Sequence, residues 1–550
     1  MPAFKAFLPR LSYVAILALV LACSEHVSNV EQGDIDGVFH IGIGASPQTI
    51  DPHVATGISE RYVINALFEG LVTKDPKSLK PIPAMAERWS ISEDGKQYTF
   101  YLRKNARWSD GNPLTANDFV WSWQRVLNPV FAAQYAYSLY FIKNAEAYHK
   151  GKLTDFSQVG IQALDEHTLR IRLNSATPYF LQLLDHYAFY PVPRHIVSAY
   201  GGDTMQFTRW THAQNIVSNG PFMLQSWQLN KGMSAVQNPH YWGREALQLN
   251  GIRFHFIDNT RTEEHMFRVG QLHYTSEIPL RKSAEYIEAK DPRARIAPYL
   301  GTYFYRVNTN RPWLADKRVR RALALAIDRK ALVKAAHYGL TVPAYSITPP
   351  GIGDYKPPIT FGFNPDEARR LLAEAGYPNG DGIPKLRLVY NTLDSHRQLA
   401  VILQQMWQRE LGIDITLENQ DWKVFLNTVN SGDYDLARAG WLGDYNDPQT
   451  FLEMWLTDGG NNRTGWSNPE FDALIGHRAP NASSPQQRLR LLAEAERLLL
   501  QDMPVLPLYI YIQRHLIAPS AKGLPYNIMG EINYRTIYLA PDADAVSTAP

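Results

Sequence analysis

Three side chains in residues 436–448 (LARAGWLGDYNDP) are suited to holding a small zwitterion. Arg438 supplies a cation, Trp441 a large flat apolar surface and Asp444 an anion. The α-ammonium of a free peptide or amino acid needs a carboxylate, its α-carboxylate needs a cation, and its chain needs apolar walls. The same residue types also fit an exposed turn with a surface charge at each end, so residue types alone leave both interpretations open.

The elements that carry these side chains alternate between strand and helix. The turn residues 431–433 precede a predicted strand at Tyr434–Ala439, and the Gly, Asp, Asn and Pro that follow predict a loop. The periodicity before this strand predicts further strands at Leu386–Asn391 and Ile413–Leu417 and helices at His396–Leu411 and Trp422–Val429. This β-α-β-α-β order is typical of a sheet with helical crossovers, and it predicts an α/β fold.

The segment that contains Arg438 and Asp444 resembles the ligand-contacting segment of the periplasmic oligopeptide-binding proteins. These are the peptide-capture subunits of ABC importers, in family 5 of the extracellular solute-binding proteins. The similar segments elsewhere are a first strand at Val38–Ile43, the turn Asp51-Pro52-His53, a helix at Tyr62–Val72, the run Arg103–Pro129 with Thr115 as a helix cap, and the turn Asn219–Phe222. The resemblance covers nearly all of the expected mature chain.

The resemblance implies a three-lobed periplasmic binding protein fold of the large class II type, with the ligand enclosed between the first and third lobes by a hinge motion. The first lobe is discontinuous and comprises residues 38–60, 180–285 and 509–550. The second lobe, residues 61–179, is inserted early, and the third lobe spans residues 286–508.

The resemblance also implies a set of ligand-binding residues. Asp444 is expected to pair with the free amino terminus of a peptide, and Arg438 with the carboxyl end of a short one. His396 matches a position that can face the carboxyl end of a longer peptide, and Gly440 would let the ligand backbone approach closely. The aromatic candidates, each of which also fits an ordinary core position, are Trp121, Trp422 and Trp441.

Two positions depart from the pattern of well-known oligopeptide binders. Ser46-Pro47 replaces an acidic-then-aliphatic pair that makes main-chain contacts to the ligand, and Pro47 has no N–H to donate. Val429 stands where those binders can have an arginine. Peptide length and side-chain preference therefore do not follow from the resemblance.

The first residues predict export. Lys5 and Arg10 supply a positive start before a short apolar run, Leu11–Leu21, and Ala22-Cys23 looks like a lipoprotein cleavage site. Residues 1–22 are then a signal peptide, Cys23 is lipidated, and the mostly polar residues 23–37 form a tether. Leu21 stands just before Ala22, a position where lipoprotein signals more often have a small or β-branched residue. The alternatives are cleavage by ordinary signal peptidase after Ala22 and a retained helix.

The composition excludes several kinds of site and argues against several kinds of partner. Cys23 is the single cysteine, so an intramolecular disulfide and a cysteine-based zinc site are both impossible. The 55 basic and 53 acidic residues nearly balance, and no basic stripe is present, which argues against nucleic acid. No second long apolar segment follows the signal, so any membrane attachment is expected through lipid only. We expect a monomer without cofactor or metal.

One charged helix is predicted to be solvated on its polar face. Val319, Leu323, Ile327 and Leu332 form an apolar stripe. The charged residues of the same region, which we expect to face solvent, are Arg318, Arg320, Arg321, Asp328 and Arg329. Farther along, Asn364-Pro365 predicts the start of another helix, because Asn is a good cap and Pro fits the first turn.

The function that follows is capture of short peptides outside the cytoplasm and their delivery to ABC permease subunits. A binder of the same fold for another solute, such as murein peptide, a metal chelate, haem, a sugar or an antibiotic, is the nearest alternative. A chaperone-like or receptor role is a further one. The sequence contains no GxSxG, HExxH, Walker or Rossmann motif, so a secreted hydrolase is a distant alternative, and no catalytic residues are expected.

Overall fold

The computed structural model describes residues 27–229, 231–457 and 459–540, without the side chains of Asp394, Trp422 and Lys423. The predicted signal peptide, Cys23 and the end of the chain lie outside the described residues. Within that described part, no helix is both long enough and apolar enough to cross a membrane.

The strands are short, apart from two long ones near the middle and the end of the chain. They are β1 (Val38–Gly42), β2 (Val72–Lys74), β3 (Pro81–Pro83), β4 (Ala86–Ile91), β5 (Gln97–Leu102), β6 (Ile161–Asp165), β7 (Thr168–Arg172), β8 (Phe222–Gln228), β9 (Gly232–Gln237), β10 (Gly251–His255), β11 (Ala294–Val307), β12 (Val342–Pro343), β13 (Leu386–Asn391), β14 (Ile415–Gln420), β15 (Leu436–Leu442), β16 (Val505–Leu516), β17 (Ala521–Lys522) and β18 (Tyr538–Leu539).

The α-helices concentrate between β11 and β16. They are α1 (Asn29–Asp36), α2 (Ile58–Leu67), α3 (Ala116–Leu127), α4 (Ala145–His149), α5 (Phe180–Leu183), α6 (Arg194–Ala199), α7 (Thr260–Arg268), α8 (Leu280–Glu288), α9 (Pro312–Ala315), α10 (Lys317–Leu325), α11 (Arg329–His337), α12 (Pro365–Glu374), α13 (Asp394–Leu411), α14 (Trp422–Asn430), α15 (Gln449–Leu452), α16 (Pro469–Ala473) and α17 (Pro485–Asp502).

Three larger sheets organise the chain. One has the strand order β1-β10-β9-β8, a second has β4-β5-β7-β6, and the six-stranded third has β12-β16-β11-β15-β13-β14. Separate groups of buried apolar side chains pack against the three sheets. This division agrees with the predicted three-lobed α/β architecture, although β16 runs through the predicted lobe boundary at residue 508.

Two long antiparallel strands connect the six-stranded sheet to the first sheet. β11 and β16 pair along both of their ends, and the register shifts between Pro298 and Thr302. Just beyond β16, Ile517 bridges to Tyr274, which in turn bridges to Ile41 of β1. The ladder of this connection is therefore interrupted between the two sheets.

The strands and helices that lead to Asp444 form as the sequence predicts. β13 has the predicted bounds, and β14 and β15 lie parallel to it, joined by the helices α13 and α14. Thr115 caps α3 with a capping box, and Asn364 caps α12 with Pro365 at its first position. The predicted helix at Tyr62–Val72 is wrong at its end, because α2 spans Ile58–Leu67 and Val72 begins β2.

The prediction that the charged side chains near residue 320 face solvent is wrong for two arginines. The region forms two helices, α10 and α11, and Arg320 and Arg329 are buried. The Arg320 guanidinium donates to the carbonyls of Leu314 and Asp502 at 2.8 and 2.7 Å. Arg329 likewise donates to backbone carbonyls, including Pro507 at 2.7 Å. Carbonyls at the ends of helices and strands supply the partial negative charge that these cations need.

The predicted tether contains a helix that is docked on the fold. α1 begins with a capping box between Ser28 and Glu31 and ends at Gly37 in the left-handed conformation. His273 Nε2 lies 3.1 Å from Asp34 Oδ1, which ties the helix to a residue far along the chain. Residues 28–37 are therefore ordered structure and not a free linker.

A buried ion pair joins two of the segments that carry the family resemblance. Arg125 of α3 donates to both carboxylate oxygens of Asp51, at 2.7 and 3.2 Å, and to His53 Nδ1 at 2.8 Å. Burial opposes the charged form of Asp51, but Arg125 holds the pKa of Asp51 below its ordinary value. Burial lowers the pKa of His53 to about 4, so its neutral ring can accept from Arg125 while its other nitrogen donates to Tyr190.

Candidate ligand-binding site

Two cavities meet at Asp444, in the space between the three sheets. The larger has a volume of about 810 Å³ and extends among residues of 135–150, 183–189 and 441–461. The smaller, about 160 Å³, lies among residues of 56–74, 185–187, 299–300, 442–444 and 529–531. The larger volume is in the range of small-molecule sites in proteins. Asp444 is thus placed where a ligand in either cavity would meet its carboxylate.

The loop after β15 fixes the position of Asp444. The hydroxyl of buried Thr450 accepts from the Asp444 N–H and from Trp441 Nε1, each at 3.3 Å. The next residue, Tyr445, stacks on Tyr179 with ring centroids 4.7 Å apart. Because Tyr179 belongs to the core around the β4-β5-β7-β6 sheet, the loop is held between two lobes.

A second anchor holds the same loop from the other side. Arg488 of α17 makes a bidentate ion pair with Asp447, at 2.7 and 2.8 Å. The Arg488 guanidinium also lies 5.2 Å from the centre of the Tyr179 ring. Bidentate pairs of this kind fix orientation as well as contributing energy. Asp444 is therefore presented by a loop with little freedom to move.

The smaller cavity contains more negative than positive charge. Lys74 Nζ lies 2.9 Å from Asp185 and 3.8 Å from Glu531, and Arg61 lies 3.3 Å from Glu531. These two cations and two carboxylates satisfy one another. Among the described residues, the Asp444 carboxylate has no hydrogen-bond or ion-pair partner. The cavity consequently has one carboxylate that needs a cation.

The surroundings of Asp444 destabilise its ionised form. Burial raises the pKa of Asp444 to about 6, and the positive charge of Lys74 offsets part of that effect. Neighbouring His186 does not supply a countercharge, because burial and Lys74 lower its pKa to about 3. A ligand cation placed here would stabilise the ionised carboxylate.

Arg438 and His396 form a second group, around Tyr303. The Arg438 guanidinium lies 5.0 Å from the centre of the Tyr303 ring, and its Nη2 is 3.5 Å from the Tyr511 hydroxyl. Within the part of the chain that is described, its Nε has no hydrogen-bond partner. Burial and the charge of Arg438 lower the pKa of His396 to about 4, so His396 is neutral. Neither residue lines the two cavities.

The space beside Gly440 is filled by the side chain of Tyr511. A Cβ at this position would lie 2.4 Å from the Tyr511 hydroxyl. The glycine was predicted to admit ligand backbone, and in this structure the adjacent space is occupied by Tyr511. Along β15 the side chains of 438, 440 and 442 share one face, and Leu442 lines the smaller cavity. The Arg438 face of the strand therefore leads toward that cavity.

The three tryptophans predicted as site residues are placed differently. Trp441 lines the larger cavity beside Asp444. Trp121 packs against the core of the first sheet, with the Arg194 guanidinium 5.9 Å from its ring, and lines neither cavity. Trp422 begins α14, and its side chain lies outside the described part of the structure.

Several cavity residues were not predicted from the sequence. Arg61, Lys74, Asp185 and Glu531 are distant from one another in the chain, and each resembles an ordinary surface charge when read locally. The larger cavity adds Glu453, together with aromatic walls from Tyr135, Tyr137, Tyr140, Phe141 and Phe189. Only the packing of the three sheets brings these residues together.

Within residues 27–540 as described, no group of three or more His, Cys, Asp or Glu side chains is arranged to hold a metal ion.

A cavity lined by more than one lobe, a loop held by two anchors, and a carboxylate without a partner among the described residues make this region the candidate site for a solute. The chain belongs to the bacterial extracellular solute-binding proteins, family 5, whose middle-region model matches residues 80–463. Membership places the protein outside the cytoplasm and confirms the predicted three-lobed periplasmic binding protein fold.

Individual relatives are similar over almost the whole chain. The periplasmic oligopeptide-binding protein OppA of Salmonella typhimurium is 38% identical over 87% of this chain and 88% of its own. The periplasmic murein peptide-binding protein MppA of Escherichia coli is 34% identical over 90% of this chain and 91% of its own. The structure of Haemophilus influenzae OppA in complex with the peptide RPPGFSPFR matches with a TM-score of 0.78 and 32% identity, covering 92% of this chain and 99% of that one.

Proposed function

We propose that the protein captures short peptides and delivers them to the permease subunits of an ABC importer. The observation that carries this proposal is the partly buried Asp444 carboxylate, which lines both cavities and lacks a cationic partner among the described residues. A free peptide supplies the missing cation as its α-ammonium. The relationship to OppA proteins, one of them solved with a bound peptide, supports the same conclusion.

The other end of a peptide needs a cation, and Arg438 is the proposed partner. It has an unused donor at Nε and no carboxylate partner within the described residues. Arg438 and Asp444 are six positions apart, so extended chain places their backbones at most about 20 Å apart. A separation limited in this way favours a short peptide as the ligand. His396, beside Arg438, is neutral and donates its Nδ1 proton to the Asn391 carbonyl, so its Nε2 would accept a hydrogen bond there without adding charge.

Calorimetric titration of ligand-stripped protein with trialanine tests the proposal. We expect saturable binding with one peptide per chain. The same protein should not bind a sugar or haem. Failure to bind any peptide from two to about six residues would contradict the proposal and direct attention to other solutes, of which murein peptide is the first to test because of the relationship to MppA.

Binding of trialanine should weaken in acid. The pKa of Asp444 is about 6 in the free site, raised by burial, and an ammonium partner must lower it again. The complex then holds fewer protons than the free protein, so affinity is full above this pKa and is lost as the pH falls through it. We expect the dissociation constant to rise about tenfold per unit below about pH 6, measured by calorimetry. A flat profile down to about pH 4.5 would contradict the assignment.

A lipid anchor at Cys23 is part of the proposal, and it rests on the sequence signal alone. Lipidation would hold the protein at a membrane surface close to the permease. In a producing cell we expect the wild type in the membrane fraction and a Cys23→Ser variant in the soluble fraction. Equal distribution of both forms would count against the anchor.

A further inference from the structure

Glu453 is a second carboxylate in the larger cavity, and the peptide proposal assigns it no role. It lies on the short helical turn that follows α15, and it lines the cavity together with Asp444. One of its oxygens, Oε1, accepts from the Tyr445 hydroxyl at 2.9 Å. The other oxygen has no hydrogen bond to a described residue. It is therefore available to a ligand.

The groups around Glu453 do not neutralise it. Asp444 and Asp447 add negative charge, and the Arg488 cation is already held by Asp447. Burial, reinforced by Asp444 and Asp447, raises the pKa of Glu453 to about 8. The empty site thus holds this side chain mostly as the neutral acid near neutral pH.

The remaining lining of the cavity leaves the two carboxylates without a cation. Lys150 lies at the rim and is already paired with Glu146 at 2.5 Å. Tyr137 lines the same cavity, and its pKa is raised by loss of solvent and by the negative charges of Asp444 and Glu453, so it supplies no positive charge. The cavity wall therefore offers two acidic groups and several aromatic rings, a combination that suits a long side chain ending in a cation.

We infer that Glu453 selects peptides that carry a basic side chain close to their amino terminus. This inference rests on the proposed peptide function and specifies its substrate class. Asp444 holds the α-ammonium, and the alkyl stem of a Lys or Arg side chain lies along the aromatic wall while its charged end meets Glu453. As the pair forms, the Glu453 carboxyl releases its proton to the buffer and the resulting carboxylate faces the ligand cation.

The test compares two tripeptides whose first side chains share a four-carbon stem and differ in the terminal ammonium group, Lys-Ala-Ala and norleucine-Ala-Ala. We expect the wild type to bind the lysine peptide at least about tenfold more tightly. In Glu453→Gln, which keeps an acceptor for Tyr445, the two affinities should come within about twofold of each other. Glu470→Gln is the matched control, because this carboxylate is exposed, is paired with Arg478 and lines neither cavity. It should keep the wild-type preference.

A second readout separates pairing from a merely structural role. Titrations at about pH 7 in buffers of different ionisation enthalpy report protons released on binding. The peptide α-amine contributes equally for both ligands, so the difference between them reports Glu453. We expect the lysine peptide to release most of one additional proton from the wild type and none from Glu453→Gln. Equal affinities in the wild type, or a preference that survives in Glu453→Gln, would overturn the inference while leaving peptide capture intact. If neither peptide binds, the proposed function itself fails.

Discussion

Replacing Asp444 by asparagine is expected to weaken trialanine binding at least about 100-fold, equivalent to ~2.7 kcal/mol. The α-ammonium would still enter a site that has been removed from water, but without a charged partner. Losing one member of a desolvated charge pair costs about 2–5 kcal/mol, much of it from the charge left behind. Calorimetry on ligand-stripped protein measures the change.

The asparagine variant also relieves a buried charge in the empty protein, so it should fold at least as well as the wild type. Asp366→Asn is the control, because Asp366 is 92% exposed on α12 and lines neither cavity. It should bind trialanine as the wild type does. Affinity of Asp444→Asn within about threefold of wild type would show that Asp444 is not the ammonium partner.

Replacing Arg125 by methionine is expected to destabilise the protein by about 3–5 kcal/mol. The substitution keeps an unbranched side chain but leaves Asp51 buried and unpaired, and it removes the donors to His53 and to the Gly202 carbonyl. Denaturation with urea, followed by tryptophan fluorescence, measures the free energy of unfolding.

The cause of this loss can be separated from lost packing. In the Asp51→Leu/Arg125→Met double variant neither charge of this pair remains, so we expect it to regain about half of the lost stability. Arg370→Met removes an arginine with two carboxylate partners on the exposed face of α12, and it should not change the unfolding midpoint measurably. An unfolding free energy of Arg125→Met within about 1 kcal/mol of wild type would contradict the account.

The sequence predicts the framework around Asp444 well. β13 to β15 and their crossover helices follow from hydrophobic periodicity and from strong local signals, such as Gly412 at the end of α13 and Asn364 before α12. These signals act within a few residues, so they can be read without knowledge of the tertiary structure. The family resemblance adds the lobe arrangement, which local patterns do not determine.

Features that depend on distant contacts could not be predicted. α1 is short and mostly polar, and it is held by Asp34 against His273, more than two hundred residues away. Arg320 and Arg329 look like surface charges until the carbonyls that surround them are known. The same holds for Lys74 and Glu453, whose roles arise from the sheets that face them. Asp444 is a candidate from the sequence, while its lack of a cationic partner among the described residues became visible only in the fold.

The most direct test of peptide capture is one comparison on the wild-type protein, trialanine against N-acetyl-trialanine, by calorimetry. Acetylation removes the positive charge and leaves the rest of the peptide unchanged. If Asp444 holds the amino terminus, the free peptide binds and the acetylated peptide is at least about 100-fold weaker. Equal binding of the two peptides would contradict the assignment of this site.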